Sequence, residues 1–237
     1  MTSCVSASLT SIQGIQVDYG AYIPARISVS NAVIWPSFAS FKALTLSNSS
    51  KEEYAALSGA VDEFVLAGFD NQPFMQGLSP KLVSKLTSEI LPPINLVHGF
   101  ESWRSRTTVC ENCRDVISFY RESIALRSDW QIFLAEWSAR TRQSDAILVP
   151  LIVSSFADVF NDRGIVQARR HAEVALFLID TNTGKLIWAR TRRVEVVNKK
   201  LQTDPNVKDL NQPGIDVLKS RLLTSDLWID FPGRVAN

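Results

Sequence analysis

The 237-residue sequence has only two histidines, three cysteines and ten glycines, and each scarcity removes a class of chemistry. His98 and His171 lack the paired spacing of a zinc module or of a His-Glu-x-x-His helix, so no metal site is expected and both histidines read as structural. The glycines do not fall into a dinucleotide or P-loop spacing after a strand, and no cofactor is expected. A Gly-x-Ser-x-Gly elbow and an aspartate-rich calcium loop are also missing, which leaves no recognisable catalytic constellation. The longest strongly apolar run, Ala146 to Val153, is strand-sized and interrupted by Pro150, far short of the roughly 18 residues a membrane-spanning helix needs. Nothing before Ile15 supplies the apolar core of a secretory signal. Charge of one sign is lacking too. With 25 Lys+Arg against 24 Asp+Glu, the long-range field that draws basic proteins to nucleic acid is absent, and no nucleic-acid partner is expected.

What is present is a globular composition, 46% hydrophobic and 21% charged, enough for one large domain with extensions. Ala32 to Pro36 is a compact apolar run that reads as a buried strand closing at its proline. Ser50-Lys51-Glu52-Glu53 fits a capping box; Tyr54, Leu57, Val61, Phe64 and Val65 follow at helical spacing up to a stop at Gly68. Ser79-Pro80 opens a second expected helix that ends at Pro92-Pro93, and Gln72 to Gln76 can be a short strand between the two. Arg114 to Leu126 reads as a helix, and Ser128-Asp129-Trp130-Gln131 as a capping box opening another. Ala146 to Val153 has the uniform apolarity of a strand in the middle of a sheet, with Pro150 marking a bulge or an edge position. The tail carries a short amphipathic helix through Ile215, Leu218 and Leu222.

The clearest local signal is Asp180-Thr181-Asn182-Thr183-Gly184-Lys185, a turn whose glycine takes the left-handed position and joins two long strands, Ile165 to Asp180 and Leu186 to Val197. Counting back from an Asp180–Lys185 pair predicts Glu173 opposite Arg192 and Arg170 opposite Glu195. The same count puts Phe177, Trp188, Arg190 and Arg192 together on the non-core face. Two arrangements are open there. The face is a partner surface, or another segment covers it, which suits large aromatics better. The basic residues around Arg169, Arg193 and Lys199 read as a salt-bridged, solvated face.

The order of these elements, and above all the run from Ala172 to Trp188 with its alternating strand ending in Asp, its Thr/Asn-Gly turn and a Trp soon after the Gly, resembles a known group. It resembles the TolB N-terminal-domain-like fold of bacterial envelope lipoproteins, which includes the curli secretion-channel subunit, outer-membrane activators of penicillin-binding proteins and uncharacterised surface lipoproteins. The resemblance covers roughly Ala32 to Val197. It implies an α/β fold: a mixed sheet with a C-terminal antiparallel hairpin and helices packed on it.

The resemblance also gives Met1-Thr2-Ser3-Cys4 a meaning beyond an ordinary N-terminus with an incidental cysteine. The tetrapeptide matches the tail of a lipoprotein signal without its leader, so Cys4 is the lipidation candidate and a possible membrane attachment. Cys110 and Cys113 form a small disulfide in an oxidising envelope and stay free thiols in a cytosol. Arg104 to Thr108 is too polar for the buried strand that precedes a thioredoxin-type pair.

Three parts follow: an extended N-terminal arm over 1–31, an α/β core domain over 32–197, and a C-terminal extension with one helix over 198–237. The expected function is that of a non-enzymatic bacterial cell-envelope lipoprotein, outer-membrane anchored and facing the periplasm. It acts as an interaction or assembly module whose partner is another envelope protein or a copy of itself. Two other readings stay open: an oligomeric subunit of a secretion or export complex, and a cytoplasmic enzyme with an unrecognised site.

Overall fold

The computed structural model describes residues 12–23, 29, 31–37, 51–69, 75–76, 85, 100, 115–141, 143–204 and 207–232. The expected disulfide pair Cys110 and Cys113, the lipidation candidate Cys4 and, apart from Lys85, the expected helix over 79–92 lie outside these residues.

The expected mixed α/β architecture is the one observed. Strands β1 (Ile12–Tyr22), β2 (Ala32–Ile34), β3 (Met75–Gln76), β4 (Ala146–Asp162), β5 (Ile165–Asp180) and β6 (Leu186–Leu201) form one sheet in the order β1-β6-β5-β4-β2-β3. Each neighbouring pair among the first four strands of that order is antiparallel, and β2 runs parallel to both β4 and β3. The helices described along their whole length are α1 (Lys51–Phe69), α2 (Val116–Phe119) continued by a π turn over Tyr120–Ile124, α3 (Ser128–Arg140) and α4 (Ile215–Leu222). Residues 12–22 of the expected arm are therefore not a free spacer, because they pair along the whole of β6.

Both faces of the sheet carry a core. On one, α1 (Tyr54, Leu57, Val61, Val65), α4 (Leu218, Leu222) and the tail residues Leu227, Trp228 and Phe231 pack on Leu148, Val174, Leu176, Leu178 and Trp188. On the other, α2 and α3 (Ile117, Phe119, Phe133, Leu134, Trp137) with Val33 and Trp35 cover Ile147, Val149, Leu151, Ala175, Phe177 and Ala189. Buried Tyr120 ties this second layer to the hairpin. Its hydroxyl donates to the Gly184 carbonyl at 2.7 Å and accepts from Trp130 Nε1 at 2.8 Å.

The turn forms as its residues dictate. Asp180 N donates to the Lys185 carbonyl, Gly184 N donates back to the Asp180 carbonyl, and Gly184 sits at φ 69°, where a side chain would be strained. Ser128 does not cap α3 as expected. The helix starts on Arg127 without a side-chain cap, and the Gln131 amide instead donates to the carbonyls of Ala125 and Thr183, bracing the turn. Pro150 sits inside β4 without breaking the ladder. Ala146 N donates to the Asn31 carbonyl and the Leu148 carbonyl accepts from Trp35 N, so alternate residues aim their polar groups at β2. Pro150 is next in that series, past Ile34 where β2 ends, and its missing donor faces a side where no strand lies among the described residues.

The hairpin register departs from the count made from the turn. Ile179 pairs with Leu186 but Leu178 pairs with Trp188, leaving Ile187 as an extra residue. This β-bulge moves every later partner by one: Glu173 lies opposite Arg193 rather than Arg192, and Arg170 opposite Val196 rather than Glu195. It also separates the two aromatics. Phe177 faces α2 and α3, Trp188 faces the tail, and neither is more than 1% exposed. Trp188 lies parallel to Trp228 (6.2 Å between centroids, 5°) and edge-on to Phe231 at 4.8 Å. The expected exposed patch is thus not a surface.

Because Trp188 is core, Trp188→Ala should lower the unfolding free energy by about 3–5 kcal/mol, the range for emptying a buried aromatic site. Urea unfolding of the two proteins measures it, and a loss below about 1 kcal/mol would contradict the packing described.

Candidate binding face

Strand length against helix length determines how far the described helices reach along the sheet. At about 3.3 Å per residue, the 16 residues of β5 span about 53 Å, whereas the 13 residues of α3 span about 20 Å. The second helical layer covers the half of its face next to the 180–185 turn, and the strands run on beyond it. On the half beyond these described helices, a second bulge sets which side chains appear. The β4–β5 pairing shifts between Ile152 and Ser154, so that Ser154, Phe156 and Asp158 point to the face that Val149 and Leu151 occupied before the shift.

The re-aimed side chains meet those of β5, β6 and β1 across the sheet. Gln16, Asp18, Ser154, Phe156, His171, Arg193 and Glu195 line a groove of about 300 Å³. His171 lies parallel to Phe156 (4.5 Å, 15°), and its Nε2 is 2.9 Å from the Ser154 hydroxyl. Arg169 makes a two-pronged contact with Asp158 (2.6 and 2.8 Å), lies 3.7 Å from Glu195 and sits over the rings of Phe156 and Phe160. Arg193 pairs with Glu173 at 3.0 Å, and the Gln16 amide donates to Asp18 at 3.2 Å. The paired Arg169–Asp158 and Arg193–Glu173 leave the groove with the carboxylates of Asp18 and Glu195 as its excess charge.

His171 is 6% exposed. Burial first, and then the positive charges of Arg193 and Arg169, lower its pKa from 6.5 to about 4, with Asp158 and Asp18 opposing the shift. At neutral pH the ring is uncharged. A Ser–His nucleophile needs an imidazole that takes a proton near neutrality, and this one is a poor base for Ser154. The arrangement gathers two carboxylates, a hydroxyl, an amide and a neutral ring among ion pairs.

The sequence-expected surface residues lie elsewhere. Arg190 and Arg192 point to the opposite face, where they hold the tail. Arg190 Nη2 pairs with Asp230 at 2.9 Å, and Arg192 Nη1 pairs with Asp226 at 3.2 Å while its guanidinium covers Tyr19. The groove itself was not anticipated. The alternation rule does not carry across the Val153 bulge, and nothing in the sequence places β1 in the sheet.

No protein-family model matches the chain, and no curated protein matches it. Among solved structures, it is similar to the PelC dodecamer from Paraburkholderia phytofirmans, at 8% identity and a TM-score of 0.39 over 92% of this chain and 100% of that one. It is also similar to lipoprotein GNA1162 from Neisseria meningitidis, at 9% identity and a TM-score of 0.34 over 81% of this chain and 93% of that one. Neither bears the name of the curli channel subunit or of a penicillin-binding-protein activator, and no residue role passes from either to this chain.

The depressed His171 pKa gives stability a pH dependence of known sign. Between about pH 6.5 and 4 the unfolded chain takes up a proton that the folded chain refuses, so the contribution is complete above 6.5 and lost as pH falls. Between pH 7 and pH 5 this group should remove about 2 kcal/mol of unfolding free energy, and His171→Gln should abolish that part of the slope. Denaturant titrations of both proteins at the two pH values test it; equal slopes would show that His171 is not held neutral.

Proposed function

We propose that the chain is a non-enzymatic interaction module of the bacterial cell envelope, anchored through a lipid on Cys4, facing the periplasm and docking an envelope protein on the open half of its sheet. The observation that carries the docking part is the groove between β1 and β4, where Asp18 and Glu195 stand beside Ser154, Gln16 and a neutral His171. Its excess carboxylates suit a basic side chain from the partner, and its ion pairs hold the acceptors in place before binding, which lowers the ordering cost of association. The envelope part is supported by the Asp180–Lys185 hairpin motif and by Met1-Thr2-Ser3-Cys4. The absence of chemistry is supported by the poor basicity of His171 beside Ser154.

Two measurements separate these parts. Expressed from the native gene with its own upstream reading frame, the protein should carry a diacylglycerol on Cys4 and fractionate with membranes, and Cys4→Ser should release it. An unmodified, soluble product would remove the anchor. With a photo-crosslinking side chain at Gln16, the native host should yield a discrete cross-linked envelope protein, and an Asp18→Lys, Glu195→Lys double variant should reduce the yield at least about tenfold. Undiminished cross-linking in that variant would place the partner elsewhere.

A further inference from the structure

Strand β1 lies at the end of the sheet, and among the described residues no strand pairs its outer edge. Native edge strands of this length are normally protected by lysine, proline, a bulge or a covering segment. The eleven residues Ile12–Tyr22 contain no lysine, arginine or proline, pair with β6 without a register shift, and carry Asp18 as their one charge. Their apolar residues are also unusually open: Ile15 is 42% exposed and Tyr19 57% exposed.

We propose that β1 pairs with β1 of a second copy, antiparallel about a two-fold axis through Val17, joining the two sheets into one of twelve strands. This deepens the assembly reading by naming a second copy as a partner, at the strand edge that borders the docking groove.

The strand's own sequence selects the register. A two-fold axis perpendicular to the sheet keeps each face on its own side, so only an axis through a residue is allowed, not one between residues. An axis through Asp18 sets that carboxylate opposite itself, and an axis through Gln16 sets Tyr19 opposite Gln13. Val17 is the middle residue of the strand, and an axis there pairs all eleven positions. Ile15 then faces Tyr19 of the second copy, Ile12 faces Tyr22, Gly14 faces Gly20, and Gln16 faces Asp18. Every apolar residue but Ala21 meets an apolar residue, and each Asp18 meets an amide donor. Cross-strand pairs of these kinds are the stabilising units of a sheet.

The pairing also extends the candidate groove. Gln16 and Asp18 lie on its outer wall, so the axis brings Asp18 and Gln16 of the second copy alongside, and two grooves become one trough.

Analytical ultracentrifugation of the full chain at micromolar concentration should give a particle of twice the 26.4 kDa chain mass. Ile15→Lys, at a position already open to solvent, should leave circular dichroism and melting unchanged and raise the dimer dissociation constant at least about tenfold. Gln16→Arg, which sets a guanidinium opposite Asp18 of the second copy, should lower it. In a background with the native cysteines replaced by serine, Val17→Cys should form a covalent dimer under mild oxidation, and Asp18→Cys should not. A monomer at all concentrations, or an oligomer indifferent to Ile15→Lys, would overturn the proposal while leaving groove docking, read by a Gln16 cross-link to a protein other than a second copy of this chain, untouched.

Discussion

The rest of the structure depends on the parity of three long strands. In β4, β5 and β6, side chains alternate between two faces that both have to be filled, and one inserted residue exchanges the faces for everything beyond it. Two such insertions occur. Ile187 in β6 sends Trp188 to the α1 side and Ala189 to the α2 and α3 side, where Phe177 already occupies the space in front of Tyr120. Val153 in β4 brings Ser154, Phe156 and Asp158 round to meet His171 and Arg169. Without the first, two large aromatics would compete for one face; without the second, the groove would lack its β4 wall. Core and candidate site are thus set by the same device, used once near the turn and once near the middle of β4.

The same parity places three arginines under the C-terminal segment. Arg170, Arg190 and Arg192 alternate along the α1 side of β5 and β6, and each meets a group from elsewhere. Arg170 reaches Glu53 at 3.0 Å and the Pro213 carbonyl at 2.7 Å; Arg190 reaches Asp230; Arg192 reaches Asp226. Arg170 and Arg192 are at most 8% exposed, and a guanidinium so enclosed is tolerable only where carboxylates and carbonyls replace its water. Gly68 shows how closely the segment is fitted, since a Cβ there would come within 2.7 Å of the Trp228 ring. The tail is accordingly part of the domain's core rather than an appendage to it.

Local features were legible in the sequence, and relations across the sheet were not. The helix over residues 51–69, the boundaries of β5 and the left-handed Gly184 follow from capping residues, alternation and turn chemistry, because each signal lies within a few neighbouring residues. The face shared by Phe177 and Trp188 was misread, since counting by twos assumes a ladder without extra residues and no composition signal marks Ile187 as one. β1 was missed as a strand because its apolar residues are spread among Gln13, Gly14, Gln16 and Gly20, a pattern that makes sense only once β6 lies beside it. The groove is farthest from legibility. Its seven lining residues come from four strands, and only the register brings Gln16 and Ser154 to the same depression.

Why the half of the sheet beyond α2 and α3 is polar follows from what the described residues place over each face. On the α1 side, a 19-residue helix about 28 Å long, α4 and the tail extend far enough to shelter Ala172, Val194 and Val196. On the other side, the described helices stop near Ile117, over Gly20 and Thr191, and beyond that point β5 changes from Ala175 and Phe177 to Glu173, His171 and Arg169. Apolar residues continued along that strand would form an exposed patch open to nonspecific association. The ion pairs instead keep the strands solvated and correctly registered, because Arg169 spans β4, β5 and β6 through Asp158 and Glu195. His171 fits among them only as a neutral ring, since a third positive charge between Arg169 and Arg193 would oppose the pairs that hold the sheet together. The same demand that keeps these three strands paired therefore leaves acceptors and a fixed, uncharged ring at the centre of the groove.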